Sequence, residues 1–215
     1  MATVQRLNTA KEGWFQVARR TYFIIVFPCL IFLGLLSLMV LPGSMPGRET
    51  KDTLILIAMF WTPVVVPLLF FISAARARRR LLKNILAVLR AKDTFCPDDG
   101  QELIQTASGK YLGIDSKNGT ILYVHRIRKG LVDVVGLTMG DWTNREVEGN
   151  VLRLYTKFPE LPCIEISTPW AQKWYDTLGA MEYKRYQTAV PFRDYVTAHI
   201  GTLERENKIH IPRVA

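Results

Sequence analysis

The chain has 215 residues and a formal net charge of +9, and its mean hydropathy of +0.09 is close to that of an ordinary globular protein. That average conceals a divided chain, because long apolar runs and most of the basic excess lie before residue 93, whereas residues 95–199 are close to neutral. A net charge placed in this way does not indicate nucleic-acid binding, and residues 76–92 hold no base-reading side chains among their arginines. The three cysteines and three histidines are scattered, which predicts no disulfide framework, no metal site and no cofactor.

Residues 1–21 are predicted to form a helix at a membrane interface. Thr9 and Glu12 have the spacing of a capping box, which marks the start of a helix. Arg19 and Arg20 follow at the predicted boundary of the bilayer, where arginines pair with anionic lipid headgroups. We assign both to contact with the membrane surface.

Two uncharged apolar runs, residues 22–41 and 54–75, are separated by a short polar loop. A bilayer core roughly 30 Å thick is crossed by about 20 apolar residues of helix, so we expect a two-helix transmembrane hairpin. The outer flanks are basic and the loop is balanced in charge. The positive-inside rule therefore predicts a protein of the bacterial inner membrane with both termini and the following domain in the cytoplasm. Neither run has an ionisable side chain, which favours an anchor over a transport path.

Residues 76–92 are predicted to form a basic amphipathic stalk, since leucine and isoleucine recur at helical spacing beside a basic face. Five of its basic residues are assigned to the membrane surface and to topology: Arg76, Arg78, Arg79, Arg80 and Lys83. Three arrangements would cover the apolar stripe. We rank contact with the anionic inner leaflet first, self-association into a homo-oligomer second, and packing against the following domain third.

Residues 93–190 are predicted to be a cytoplasmic α+β domain, because short alternating segments are separated by turn signals such as Asn118-Gly119. The predicted strands are residues 110–115, 120–127, 131–137, 142–147, 151–158 and 163–167. A helix with Thr168 as its N-cap follows, and residues 191–215 form a second helix and a tail. Antiparallel strands closed by a C-terminal amphipathic helix are similar to pleckstrin-homology-like domains.

No catalytic motif is present in the sequence, so the chain is predicted not to be an enzyme. Trp142 and Arg145, in a polar segment, are the candidate partner interface. An exposed tryptophan beside an arginine is typical of an interface anchor, whereas a buried one would belong to the core, and the sequence leaves both open.

The layout of the whole chain resembles the ExcA-type entry-exclusion proteins of IncI-type conjugative plasmids. The resemblance rests on a basic, aromatic N-terminal segment (KEGWFQVARRTYFIIVFPC), two apolar runs, an RARRR flank and a segment WAQKWYDTLGAME. It implies an inner-membrane protein that blocks redundant plasmid transfer by recognising a TraY-type conjugation protein of the donor. The alternative from the residues alone is a membrane-tethered scaffold or assembly subunit with a pleckstrin-homology-like interaction domain.

Overall fold

A computed structural model describes residues 21–40, 50–186 and 190–213. A π-helical segment, Tyr22–Val26, leads into helices α1 (Phe27–Val40), α2 (Thr50–Leu89), α3 (Ala171–Glu182) and α4 (Phe192–Asn207). The strands are β1 (Glu102–Gln105), β2 (Lys110–Asp115), β3 (Thr120–Arg128), β4 (Leu131–Thr138), β5 (Trp142–Glu148), β6 (Val151–Thr156) and β7 (Cys163–Ser167). Contacts divide the chain into two compact units, with the boundary between Ala74 and Ala75. The predicted interfacial helix, with Arg19 and Arg20, lies outside the described residues up to residue 20.

The predicted transmembrane hairpin, with spans at residues 22–41 and 54–75, is wrong. Within the described ranges, no helix combines the length and the apolar character needed to cross a membrane. In the first run the α-helix covers only the 14 residues Phe27–Val40, which rise about 21 Å, because the π-helical segment precedes it. The second run is not a helix of its own, since α2 continues from it through the basic residues to Leu89. The length of an uncharged run in the sequence therefore does not show where the helix in that run begins and ends.

A hydroxyl group compensates for a proline within the first unit. Pro67 lies inside α2 and has no N–H, so the carbonyl of Pro63, four residues earlier, loses its helical donor. The Tyr22 hydroxyl donates a hydrogen bond of 2.7 Å to that carbonyl oxygen. The Phe23 and Phe71 rings, with centroids 5.0 Å apart, add an aromatic contact between the same two segments.

The second unit is an α+β domain built on two antiparallel sheets. The first sheet has the order β1-β2-β3-β4 and the second the order β5-β6-β7, so within each sheet every strand pairs with its neighbours in the chain. The α+β class with antiparallel strands is therefore confirmed, while the pleckstrin-homology-like analogy stays a prediction. Strand β1 was not predicted, because four residues, ELIQ, are too few to show an alternating pattern.

The first sheet is buried on both faces. Leu112 and Ile121 belong to a core cluster that includes the second sheet and α3. Tyr111 and Leu122, which alternate with them, belong to a second cluster that includes the end of α2 and α4. Strands covered on both faces are apolar at most positions rather than at every second one, as in the continuously buried segment Leu131–Leu137, where Asp133 is the charged exception.

The apolar stripe of the predicted stalk packs against the domain. Leu82, Ile85, Leu86 and Leu89 are at most 5% exposed, and all four belong to the cluster shared with α4 and the first sheet. This is the arrangement that we ranked third. The helical spacing of the leucines shows that one face of α2 is buried, but it does not show which surface buries that face.

Candidate partner-binding site

A small cleft lies where the β2–β3 and β4–β5 turns meet the chain that leaves α3. Its volume is about 200 Å³, and it is lined by Asn118, Gly119, Thr138, Met139, Gly140, Lys184 and Tyr186. Ligand and cofactor pockets usually measure about 300–1,000 Å³. The cleft is therefore of a size to admit a side chain of a bound protein rather than a cofactor.

Tyr186 and Gly119 form one wall of the cleft. Gly119 has φ +69°, and a Cβ at this position would collide with the Tyr186 ring, so a glycine is required on both counts. The Tyr186 hydroxyl donates a hydrogen bond of 3.3 Å to the Ser116 carbonyl oxygen. Burial raises the pKa of the Tyr186 phenol above its ordinary value, and the charge of Asp115 raises it further. At neutral pH this wall presents an uncharged phenol.

The β2–β3 turn is held by the carboxylate of Asp115, which is 1% exposed. Its oxygens accept hydrogen bonds from the backbone N–H groups of Cys96, Lys117 and Asn118, at 2.7, 2.9 and 3.1 Å. The Asn118 amide adds a fourth donor at 2.8 Å. Hydrogen bonds to a charged acceptor are strong, so this wall of the cleft is fixed before any partner binds.

The β4–β5 turn is fixed in a similar way. Asp141 Oδ2 accepts hydrogen bonds from the backbone N–H of Thr138 at 2.7 Å and from its hydroxyl at 2.6 Å. Met139 and Gly140 lie between these two residues, and Met139 is half-buried. The turn therefore offers a flexible apolar side chain on a rigid backbone.

The chain that leaves α3 exposes aromatic and basic side chains beside the cleft. Tyr183 is 90% exposed, and Lys184 and Arg185 are also exposed. Within the described parts of the chain, the Lys184 side chain has no ion-pair partner. Tyrosine and arginine are enriched where proteins bind one another.

Trp142 is 5% exposed and belongs to the core, which decides between the two alternatives that the sequence left open for this ring. A register shift between Trp142 and Asn144 adds a residue to β5. In a regular strand, residues 142 and 145 would point to opposite faces, but the bulge brings them to the same face. The Arg145 guanidinium lies 5.7 Å from the centre of the Trp142 ring.

Arg145 connects β5 to α3 at two points along the helix. Its guanidinium lies 4.6 Å from the centre of the Tyr175 ring, and Nη1 is 2.6 Å from Glu182 Oε1. Gly179, between these two partners on the helix, leaves room for it, since a Cβ there would be 2.7 Å from Arg145 Nη2. Glu182 directly precedes Tyr183, so Arg145 holds the end of the helix from which the exposed side chains project.

The basic residues of α2 that were assigned to the membrane surface lie away from the cleft. Arg76, Arg79, Arg80 and Lys83 are exposed on α2, and Arg78 donates a hydrogen bond of 2.8 Å to the Ala107 carbonyl oxygen in the β1–β2 turn. Turns alternate between the two ends of an antiparallel sheet in which successive strands pair. The β1–β2 turn is therefore at the opposite end of the sheet from the β2–β3 turn of the cleft.

The sequence prediction identified Asn118-Gly119 as a turn but assigned no site to it. The YKRY run at residues 183–186 was also missed, although it carried the signal: aromatic and basic side chains alternate directly after a helix. In the described part of the chain, no group of three histidine, cysteine, aspartate or glutamate side chains could hold a metal ion.

The second unit is thus an α+β domain of two antiparallel sheets with a small, rigid cleft bordered by exposed aromatic and basic side chains. The chain belongs to the exclusion-determining protein family, whose profile matches residues 2–215. This match confirms the resemblance to an entry-exclusion protein family and supports a role in entry or surface exclusion. Comparisons with curated proteins and with solved structures gave no match.

Proposed function

We propose that the chain makes a cell that carries it refuse redundant conjugative transfer, by recognising a protein of the donor's conjugation apparatus through the cleft. Membership of the exclusion-determining family over residues 2–215 is the observation that carries this proposal. Recognition, without catalysis, is sufficient for such a role. The resemblance to ExcA-type proteins names a TraY-type protein as the partner.

The geometry of the cleft supports binding of a protein segment. Two turns with fixed backbones surround a space of about 200 Å³, Lys184 lines it, and the exposed Tyr183 directly precedes Lys184 in the chain. A bound aromatic or aliphatic side chain would contact Met139 and Tyr186, while Lys184 favours an acidic neighbour. Arg145 contributes by holding α3 in place, and we propose a positioning role for it and for Trp142.

We place the protein at the cytoplasmic face of the inner membrane. Large apolar side chains of the first unit are exposed, including Ile24 at 73%, Phe32 at 63% and Met59 at 68%. Exposed apolar surface of this kind is typical of contact with lipid or with another protein. The basic residues from Arg76 to Lys83 supply the charge that an anionic leaflet attracts.

The test is a mating assay with recipients that express the full chain. We expect the wild-type chain to reduce transfer of a related plasmid and to leave an unrelated plasmid unaffected. A variant with Tyr183→Ala and Lys184→Glu should bind the donor protein about 30-fold more weakly, since a lost anchor residue costs about 2 kcal/mol. Recipients with this variant should admit the related plasmid nearly as often as recipients without the protein.

The matched control changes two neighbouring exposed residues at the start of α3, with Gln172→Ala and Lys173→Glu, and should exclude as the wild type does. Immunoblots verify equal amounts of each protein. Full exclusion by the Tyr183/Lys184 variant would refute the cleft as the site. Unchanged transfer of every related plasmid in the presence of the wild-type chain would refute the exclusion role itself.

A further inference from the structure

One end of the second unit brings together three elements that are far apart in sequence. The part of α2 that belongs to the second unit begins at Ala75. The hydrogen bond from Arg78 to the Ala107 carbonyl oxygen places this part of the helix beside the β1–β2 turn. The amide of Asn84 donates a hydrogen bond of 3.4 Å to Asn207 Oδ1, so the end of α4 lies beside the same helix.

The β3–β4 turn lies at the same end. The backbone N–H of His210 donates to the Gly130 carbonyl oxygen at 2.8 Å, and the N–H of Val132 donates to the His210 carbonyl oxygen at 3.1 Å. Gly130 and Lys208 adopt left-handed backbone conformations, with φ +81° and φ 52°. These bonds fix the backbone of the turn and that of the chain after α4 relative to each other.

This end of the second unit is strongly basic. Six exposed basic residues from the three elements define what we call the basic end face: Arg79, Arg80, Lys83, Arg128, Lys129 and Lys208. Two acidic residues lie near it, Glu204 and Glu206. Glu204 accepts a hydrogen bond of 2.7 Å from the Ile211 N–H and contacts His210, so its charge is already engaged.

We propose that the basic end face binds the anionic headgroups of a phospholipid bilayer. An anionic membrane surface attracts each basic side chain that lies within about 10 Å of it. Basic side chains on a helix, a turn and a helix end can therefore contribute together, and no shaped pocket is needed. In the sequence, the basic residues Arg79, Arg80 and Lys83 of α2 follow exposed apolar side chains, including Leu69 at 58% and Phe70 at 63%. That order favours a lipid surface over a nucleic acid. Arg128, Lys129 and Lys208 thus extend the lipid contact beyond the basic residues of α2.

The test measures co-sedimentation of the purified full chain with vesicles, either of pure phosphatidylcholine or of an equal mixture with phosphatidylglycerol. The variant Arg128→Gln/Lys129→Gln/Lys208→Asn removes three charges outside α2, and asparagine tolerates the left-handed backbone at residue 208. We expect this variant to bind the mixed vesicles on the order of 100-fold more weakly at low salt, from about fivefold per charge. Binding to pure phosphatidylcholine should not change.

The control variant Lys157→Gln/Lys173→Gln/Arg185→Gln also removes three exposed charges, and it should bind the mixed vesicles like the wild type. The variant Arg128→Lys/Lys129→Arg keeps the charges and should also bind normally.

Equal binding of the two vesicle types by the wild type would overturn the proposal, as would equal losses in the neutral and control variants. Tighter binding of a labelled DNA duplex than of mixed vesicles, lost in the neutral variant, would assign the face to nucleic acid instead. The assay uses purified components, so its failure would not bear on the proposed exclusion function.

Discussion

At the scale of single residues, Tyr111 links burial to the effect of pH on stability. Its ring is fully buried, and its hydroxyl donates a hydrogen bond of 3.0 Å to Glu102, whose carboxylate also pairs with Arg90. Burial is the main cause that raises the pKa of Tyr111 well above its ordinary value, and the charge of Glu102 adds to it. The folded state therefore holds this proton at a pH at which the unfolded chain releases it.

Because the pKa of Tyr111 is raised on folding, the protein loses stability as the phenol ionises at high pH. The contribution of protonated Tyr111 to the free energy of unfolding is fully present below about pH 10. Above that pH it decreases by up to about 1.4 kcal/mol per pH unit. We expect Tyr111→Phe to remove this part of the fall in the free energy of unfolding, measured by urea denaturation from pH 8 to 12. Tyr183→Phe, at a position 90% exposed, is the control and should leave the slope unchanged. Identical slopes for Tyr111→Phe and the wild type would contradict the prediction.

A second prediction compares two helical glycines. Gly201 of α4 has open space where a Cβ would be, so Gly201→Ala should stabilise the protein by about 0.5–1 kcal/mol. Gly179→Ala should not stabilise the protein, because the new Cβ would displace the Arg145 guanidinium from Glu182 and Tyr175. In an Arg145→Ala background the gain should return. Urea denaturation of the four variants measures this coupling, and equal stabilisation at both glycines in the wild-type background would disprove it.

At the scale of the elements, the amphipathic patterns located the buried faces but not the surfaces that cover them. The spacing of Leu82 to Leu89 showed the apolar stripe but not the residues that cover it. The partners on α4 are more than a hundred residues away in the chain. The partners on the first sheet lie on strands whose two faces are both apolar, so the sequence does not show which face packs against the stripe. Strands β2 to β7 were predicted to within two residues at each end, because Asn118-Gly119 and similar turns mark their ends, whereas β1 was missed.

The end of α2 is therefore part of the domain, and this gives a third prediction. A fragment of residues 75–215 should fold cooperatively, whereas residues 93–215 should not. The shorter fragment lacks four buried leucine and isoleucine side chains, each worth about 1.5–3 kcal/mol, and their sum is comparable to the stability of a whole domain, about 5–15 kcal/mol. Circular dichroism with thermal melting distinguishes the two fragments. A sharp transition in residues 93–215 would show that the helix is dispensable.

At the scale of the whole molecule, the sequence indicated the family and the fold class of the second unit but not the grouping of its surface residues. Lys83, Arg128 and Lys208 are distant in the chain, and only the pairing of strands and helices shows that they share one end. The cleft was missed for the same reason, since Asn118, Thr138 and Tyr186 come from three segments. Trp142 and Arg145, predicted as a partner interface, lie close together because of the bulge in β5, and their part in binding stays a prediction.

The burial of the first sheet on both faces has a consequence for the evolution of such proteins. With Leu112 and Ile121 committed to one core cluster and Tyr111 and Leu122 to the other, the central strands have no free face on which to accumulate changes. Variation that spares the fold has more room in the turns, on the outer sides of the helices and on the exposed positions of the second sheet. Members of the exclusion-determining family can therefore diverge at these surface positions while the buried core stays the same.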